Sequence, residues 1–326
     1  MKLSLPKSQE HCGTGHGALR RVVLHADDFG MNPAVTDGIL DGFQQGLLTG
    51  TSVLSNAPDA ARALAAWKQL AEDRRRGCLP SARRRQRLED PERAFDLGVH
   101  LNLTQGRPLS GDRFPADLLD PEGRLRGIGL LARRLARSGR RFARAIEEEL
   151  GRQIEFVLDH GHRPSHLSGH QYVELIPTVG RIVASLLARF QIGAVRVAVE
   201  SAWLRSLGWP GVGLGRWLVG AGRWCAAGQF RRRVAAAGVV SPDAFLGSLS
   251  AGRVTLQQIR SFLAANRRFR RAEIVLHPAR ATDDGAAGDG WSDPWAARRP
   301  QELQLVLSNE LAVCLEQAGV GLGRMT

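Results

Sequence analysis

Two aspartates, Asp27 and Asp28, stand side by side in the stretch LHADDFG, directly behind an apolar run and directly before a glycine. Histidines occupy comparable places further along: His100 in FDLGVHLNLT, His166 and His170 in RPSHLSGH, and His277 in AEIVLHPA. Carboxylate oxygens and neutral imidazole nitrogens are ligands that zinc, magnesium or manganese accept, and three protein ligands leave positions open for water and substrate. Such a set is hydrolytic. Two adjacent aspartates also allow a division of labour, one holding the metal while the other takes a proton from its water. Gly30 lets the backbone turn closely around that point. Each residue also has a plainer reading. The Asp-Asp-Phe-Gly turn can be a helix cap, His100 a hydrogen-bonded core histidine, and His166 or His170 a structural residue, because i, i+4 spacing carries no weight in a turn. His277, before Pro278, can simply end a strand, and His160 and His162, flanking a glycine after a helix, are expected in solvent. What accident explains poorly is that the first set all sits at strand ends.

The elements that must position these residues follow from hydrophobic periodicity. RVVLHADDFG has the form of a buried parallel strand ending at polar residues and glycine. NPAVTDGILDGFQQGLL predicts a helix with Asn32 as N-cap and Pro33 in its first turn. Residues 51–57 predict a second strand, and APDAARALAAWKQLAE a second helix. The arginine-dense stretch DRRRGCLPSARRRQRLEDPER has no apolar period and predicts an exposed loop. In FDLGVHLNLT, alternation puts Phe95, Leu97, Val99, Leu101 and Leu103 on one face and His100, Asn102 and Thr104 on the other. Phe142, Ile146, Leu150, Ile154 and Leu158 predict a helix over 142–158, closed by Gly161. RPSHLSGH, GAVRVAVE and AEIVLHPA predict further strands, IPTVGRIVASLLARF a helix, and PQELQLVLSNELAVCLEQAG one late helix. Alternating strands and helices point to a parallel α/β sheet or barrel, whose site lies at the carboxyl ends of the strands.

Composition narrows the remaining choices. The 326 residues can form a substantial core. Lys and Arg number 45 against 32 Asp and Glu, a net charge of +13, which suits nucleic acid, an anionic membrane surface or a GC-rich genome. The arginines fall mainly in the loop and on helix surfaces without a nucleic-acid motif, so no nucleic acid is expected. Cys12, Cys78, Cys225 and Cys314 lack CxxC spacing, so neither a disulfide framework nor a cysteine zinc site is expected. Residues 1–19 have no apolar core of a signal peptide and are expected to form a flexible extension. No segment is apolar for the length of a membrane span, and the expected location is cytoplasmic.

HADDFGMNPAVTDGIL, LGVHLNLTQGRPLS, PSHLSGHQYVELIPTV, VRVAVE and EIVLHPA, in this order, resemble the YdjC-like carbohydrate deacetylases, the ChbG/HpnK group, over residues 20–326. The resemblance implies a single domain with a deformed (β/α) barrel. It also implies removal of acetyl groups from N-acetylated sugars with a divalent metal, magnesium or zinc, held by an Asp-His-His set. Carried onto this chain, it makes Asp28, His100 and His170 the metal ligands and Asp27 the general base, with His277 as acid or transition-state stabiliser. Arg196 and His166 are candidates for substrate contact, Arg196 having a salt bridge to an acidic neighbour as its alternative. The chain departs from the family in HLSGHQY, where Ser168 and Tyr172 replace an Asp and a later His, which puts support of the metal ligands in question.

Residues 201–240 break the strand and helix rhythm with four tryptophans and several arginines among small apolar residues. They predict a helical insertion. Trp and Arg together suit a membrane interface, as they also suit packing on the barrel or an oligomer contact. With AFLGSLSAGRVT, this stretch resembles the hopanoid-biosynthesis-associated branch, implying N-acetylglucosamine on a hopanoid lipid as substrate and peripheral contact with the inner membrane face. Homo-oligomers stay open. Two other functions compete with the deacetylase: another metal hydrolase such as a phosphodiesterase, and a non-catalytic basic module for lipid or nucleic acid.

Overall fold

The computed structural model describes residues 20–80, 88, 95–200, 214–282 and 290–326, with the side chains of 215–221 and 223 excepted. The N-terminal extension, most of the arginine-dense loop and the first part of the 201–240 stretch lie outside the described residues. Among the described residues, eight parallel strands form one sheet: β1 (Arg21–Phe29), β2 (Gly50–Val53), β3 (Asp96–Leu101), β4 (His166–Gly169), β5 (Ala194–Val195), β6 (Ala244–Leu246), β7 (Arg271–Leu276) and β8 (Gly321–Leu322). Their order is β5-β4-β3-β2-β1-β7-β6, with β8 pairing the start of β1. The edges approach at the parallel bridge Ala194–Val240. This is a deformed (β/α) barrel, as the family resemblance implies and within the parallel α/β classes that the alternation leaves open.

Helices α1 (Pro33–Gln44), α2 (Ala60–Arg75), α3 (Ile128–Asp159), α4 (Pro177–Arg189), α5 (Leu214–Ala236), α6 (Leu256–Ala265), α7 (Arg299–Leu307) and α8 (Asn309–Gln317) accompany the sheet. Asn32 caps α1, its side chain accepting from Val35 N–H at 2.9 Å, with Pro33 at the first turn. Phe43 and Trp67 from α1 and α2 close edge to face at 5.1 Å with Phe95 against Phe43 at 4.7 Å, which locks both helices onto β1–β3.

Several elements differ from the sequence expectation, each for a physical reason. α2 runs on through Asp73, Arg74 and Arg75, so the arginine-dense stretch begins as helix. α3 starts at Ile128, and non-helical Ser138 kinks it ahead of the segment that the sequence predicts as helix. Its strict four-residue spacing drifts against 3.6 residues per turn, so Val157 is buried while Leu158 is 38% exposed. The late helix is two: Ser308 leaves helical geometry and its side chain caps α8 through Leu311 N–H. β6 lies within AFLGSLSAGRVT, where no strand is expected. The helical insertion appears as α5, packed against α4.

Candidate metal centre

β1 settles why two acids stand together. Its register with β2 runs His25–Gly50, Ala26–Thr51, then Phe29–Val53, so one extra residue bulges between Ala26 and Phe29. In a regular pleat, consecutive side chains face opposite sides. Asp28 instead takes φ +69°, a conformation that costs a side chain about 1–2 kcal/mol, and both carboxylates enter the same cavity of about 300 Å³. Gly30 follows at φ +85°, where a Cβ would meet Ala60 Cα at 2.9 Å.

His100 from β3 and His170, directly after β4, complete the set. One ligand atom from each of Asp28, His100 and His170 lies within 4.8 Å of the others, and all three residues are buried. Asp28 Oδ1 is 3.1 Å from His170 Nδ1 and 3.6 Å from His100 Nε2. Ligands about 2.0–2.2 Å from one small divalent ion stand roughly 3–3.6 Å apart, so these spacings suit a shared cation. Protonation suits it as well. Burial, only partly offset by Asp27 and Asp28, pushes the His100 pKa down to about 3, leaving a neutral ligand. Its Nδ1 bonds Ser168 Oγ at 2.8 Å, and Ser168 donates on to Ser52 Oγ at 2.8 Å, so Nε2 is the bare nitrogen that faces Asp28. Ser168 thus supplies a hydrogen-bond partner for His100 at the position where the resemblance leads one to expect an aspartate. The Gln105 side chain, held by Ser292 N–H on its oxygen, meets His170 Nε2 at 3.2 Å, and Nδ1 of His170 faces Asp28.

Asp27 is held differently. Arg196, fully buried, donates to its Oδ2 at 2.6 Å and its Oδ1 at 2.7 Å, and also to Glu273 at 2.7 and 2.9 Å. His25 Nδ1 lies 3.1 Å from Asp27 Oδ1. Burial raises the Asp27 pKa, but Arg196, His100 and His25 together outweigh it and hold the carboxyl well below the usual range. Asp28 is likewise held well below it, burial being overcome by Arg299 and His170. His277 Nε2 is 4.0 Å from Asp27 Oδ2, and its ring stands edge-on to Trp295 at 4.6 Å. Burial opposes protonation of His277, yet Glu302, Asp28 and Asp27 raise its pKa overall.

The structure therefore gathers Asp27, Asp28, His100, His170 and His277 around one cavity. Arg196 and His166, candidates for substrate contact, lie beneath it: Arg196 clamps Asp27 and Glu273, and His166 bonds His25 and Ser165. The Arg196 contact is the acidic-neighbour alternative. Among residues the sequence does not single out, Arg299 donates to Asp28 Oδ2 at 2.7 Å and to Asp293 at 2.6 Å, and His25 and Glu273 brace the clamp. Periodicity hides all three, since the partners are far apart in sequence. Four carboxylates, Asp27, Asp28, Glu273 and Asp293, face two guanidiniums, Arg196 and Arg299, an excess of two negative charges that one divalent ion would cancel. Glu302 is matched by His277 when that ring is protonated.

Residues 21–317 match the family described as YdjC-like protein. A carbohydrate deacetylase of Mus musculus is 30% identical over 323 residues, covering 93% of this chain and 93% of its own. One from Homo sapiens is 30% identical over 324 residues, 93% of this chain and 89% of its own. One from Geobacillus stearothermophilus is 31% identical over 175 residues, 53% of this chain and 58% of its own. A solved structure from Enterococcus faecalis, described as a candidate cellobiose-phosphate cleavage protein, superposes with a TM-score of 0.68 at 19% identity, covering 94% of this chain and 98% of that one. That likeness bears on the fold.

Proposed function

The chain belongs to the YdjC-like protein family, and from that premise we propose that it is a metal-dependent hydrolase removing the acetyl group of an N-acetylated sugar. The carrying observation is the meeting of Asp28, His100 and His170 beside Asp27 and His277 in one cavity. Asp28, His100 and His170 would hold a divalent ion such as magnesium or zinc, which supplies a Lewis acid for the acyl carbonyl and acidifies a water molecule. The rest falls to the chain's own residues. Asp27 stays ionised and, fixed by Arg196, accepts the proton of the attacking water. His277, whose surroundings favour its protonated form, gives a proton to the departing amine, so acetate and a free amino sugar leave. Trp295 and Met31 supply apolar wall to a site otherwise rich in charge.

We extend the proposal to a sugar carried on an apolar aglycone, with N-acetylglucosaminyl hopanoid as the specific case and the inner membrane face as the place of encounter. In support, a groove of about 1000 Å³ runs between α3, α4 and α5 and shares Ile128, Gln171 and Tyr172 with the cavity. Leu135, Leu175 and Ile176 give it apolar wall, and Arg137, Arg140, Arg141 and Arg181 border it. No described helix is long and apolar enough to cross a membrane, so contact would be through this face and α5, where Trp224 is exposed. Acetate release from the metal-reconstituted protein tests both layers, using short chitooligosaccharides and an N-acetylglucosaminyl lipid in vesicles. Release from either supports the deacetylase, preference for the lipid supports the aglycone, and hydrolysis of a phosphodiester to a phosphomonoester and an alcohol, with no acetate released, overturns both.

A further inference from the structure

Under the cavity floor lies a pair of histidines that the proposed chemistry does not use. His25 and His166 are both fully buried, their Nε2 atoms are 2.9 Å apart, and their rings meet nearly at right angles. A contact of this length between two imidazole nitrogens holds one proton: two N–H groups would collide and two lone pairs would repel. The other nitrogen of His25 reaches both halves of the ion pair above it, 2.9 Å from Arg196 Nη2 and 3.1 Å from Asp27 Oδ1. The other nitrogen of His166 meets Ser165 Oγ at 2.9 Å, and that hydroxyl reaches Leu97 O at 3.2 Å.

The sheet is shaped to admit the pair. At Gly98, inside β3, a Cβ would collide with the His166 ring, and at Gly50, at the start of β2, a Cβ would come within 3.0 Å of His25 Cδ2. Glycine weakens a strand, so a strand glycine pressed against a ring marks a close approach. Burial, together with the neighbouring His25 ring and the Arg196 charge, holds the His166 pKa well below the ordinary value and keeps that ring neutral.

We propose that His25 and His166 are positioning residues for Asp27, a pair sharing one proton that fixes the Arg196 clamp and with it the direction in which the base carboxylate faces. This rests on the reading of Asp27 as the base. The bidentate Arg196 contact sets distance, but the two groups can still rock together as a unit. Glu273 restrains the arginine from one side and His25 restrains both members from the other. Because the shared contact holds a single proton, the tautomers are complementary: one ring carries its proton on Nε2 and the other on Nδ1.

Two readouts test this on the full chain loaded with Zn2+. In 15N-histidine NMR, wild-type His25 and His166 should show opposite neutral tautomers, and like tautomers would overturn the pairing whether or not the protein proves to be a deacetylase. In kinetics, His166→Leu should lower kcat about 10- to 100-fold with KM and Zn2+ affinity changed less than about twofold, and His166→Gln should recover part of the loss. An unchanged kcat, a loss confined to KM or Zn2+ affinity, or a His166→Gln no better than His166→Leu would overturn it. Wild-type protein that releases no acetate would instead remove the deacetylase reading and leave the tautomer result to decide the pair.

Discussion

Asp27 and Asp28 are neighbours in the chain and yet meet two different environments. Both oxygens of Asp27 accept from Arg196, in a buried network with Glu273, His25 and His166. Asp28 gives one oxygen to Arg299 and turns the other toward two imidazoles in the cavity. One bulged residue creates the difference, since without it the two side chains would lie on opposite faces of β1. The lesson is that chemical role here follows from which lone pairs remain free, more than from residue type. A carboxylate with one lone pair of each oxygen held by a fixed cation keeps its charge and direction and still has a lone pair to take a proton, whereas one with a free oxygen facing imidazole nitrogens can share an ion.

The sharpest way to break this comparison is to exchange the two acids' fates. Asp27→Asn should lower kcat by about 10²–10⁴-fold while the protein still retains a divalent ion. Asp28→Asn should lose the ion first and activity as a consequence. Calorimetric titration with Zn2+ beside acetate release separates the two, and an Asp27 variant that cannot retain the ion would end the distinction.

The guanidiniums should differ next. Arg196→Met leaves Asp27 and Glu273 buried without their partner, a loss of about 3–5 kcal/mol. Arg299→Met leaves Asp28 in a similar state, but there a bound ion can take over the charge. In urea denaturation, the stability gained on adding Zn2+ should therefore be larger for Arg299→Met than for wild type or Arg196→Met. Equal gains would mean that the two clamps are equivalent. A smaller effect is expected at Ser168, whose hydroxyl keeps His100 in the ligand tautomer: Ser168→Ala should weaken Zn2+ binding about 10- to 100-fold without changing the fold.

Much of this division was legible before the fold, but unevenly. The strand ends carrying Asp27, Asp28, His100, His170 and His277 could be found because an apolar run stopped by polar residues is a local pattern. Arg299 could not, because it reaches Asp28 across 271 residues and sits at the start of a helix, where an arginine carries no signal. His25 reads as one polar residue in an apolar strand until its partner at 141 residues' distance is known. Ser308 and Ser138, which break and kink helices, are small polar residues within helical patterns, and their effect depends on tertiary packing. Motifs show which groups carry chemistry, and the long-range ion pairs decide what state those groups are in.

The last and smallest effect separates His277 from the other imidazoles. Where burial drives His100 and His166 toward the neutral form, Glu302, Asp28 and Asp27 overcome burial at His277 and raise its pKa. A raised value means that the folded protein holds this proton more tightly than the unfolded chain. The stabilisation is then complete below the unfolded value of about 6.5 and is lost as pH rises through the folded value. In chelator-treated protein, wild type should accordingly lose stability relative to His277→Gln across the window that opens near 6.5 and extends above it. Paired urea titrations at several pH values read the difference directly. Parallel profiles would show that folding leaves the His277 pKa unchanged. A wild type that instead gains stability relative to His277→Gln as pH rises toward about 6.5 would show a ring kept neutral in the fold, so that the proton for the leaving amine would need another source.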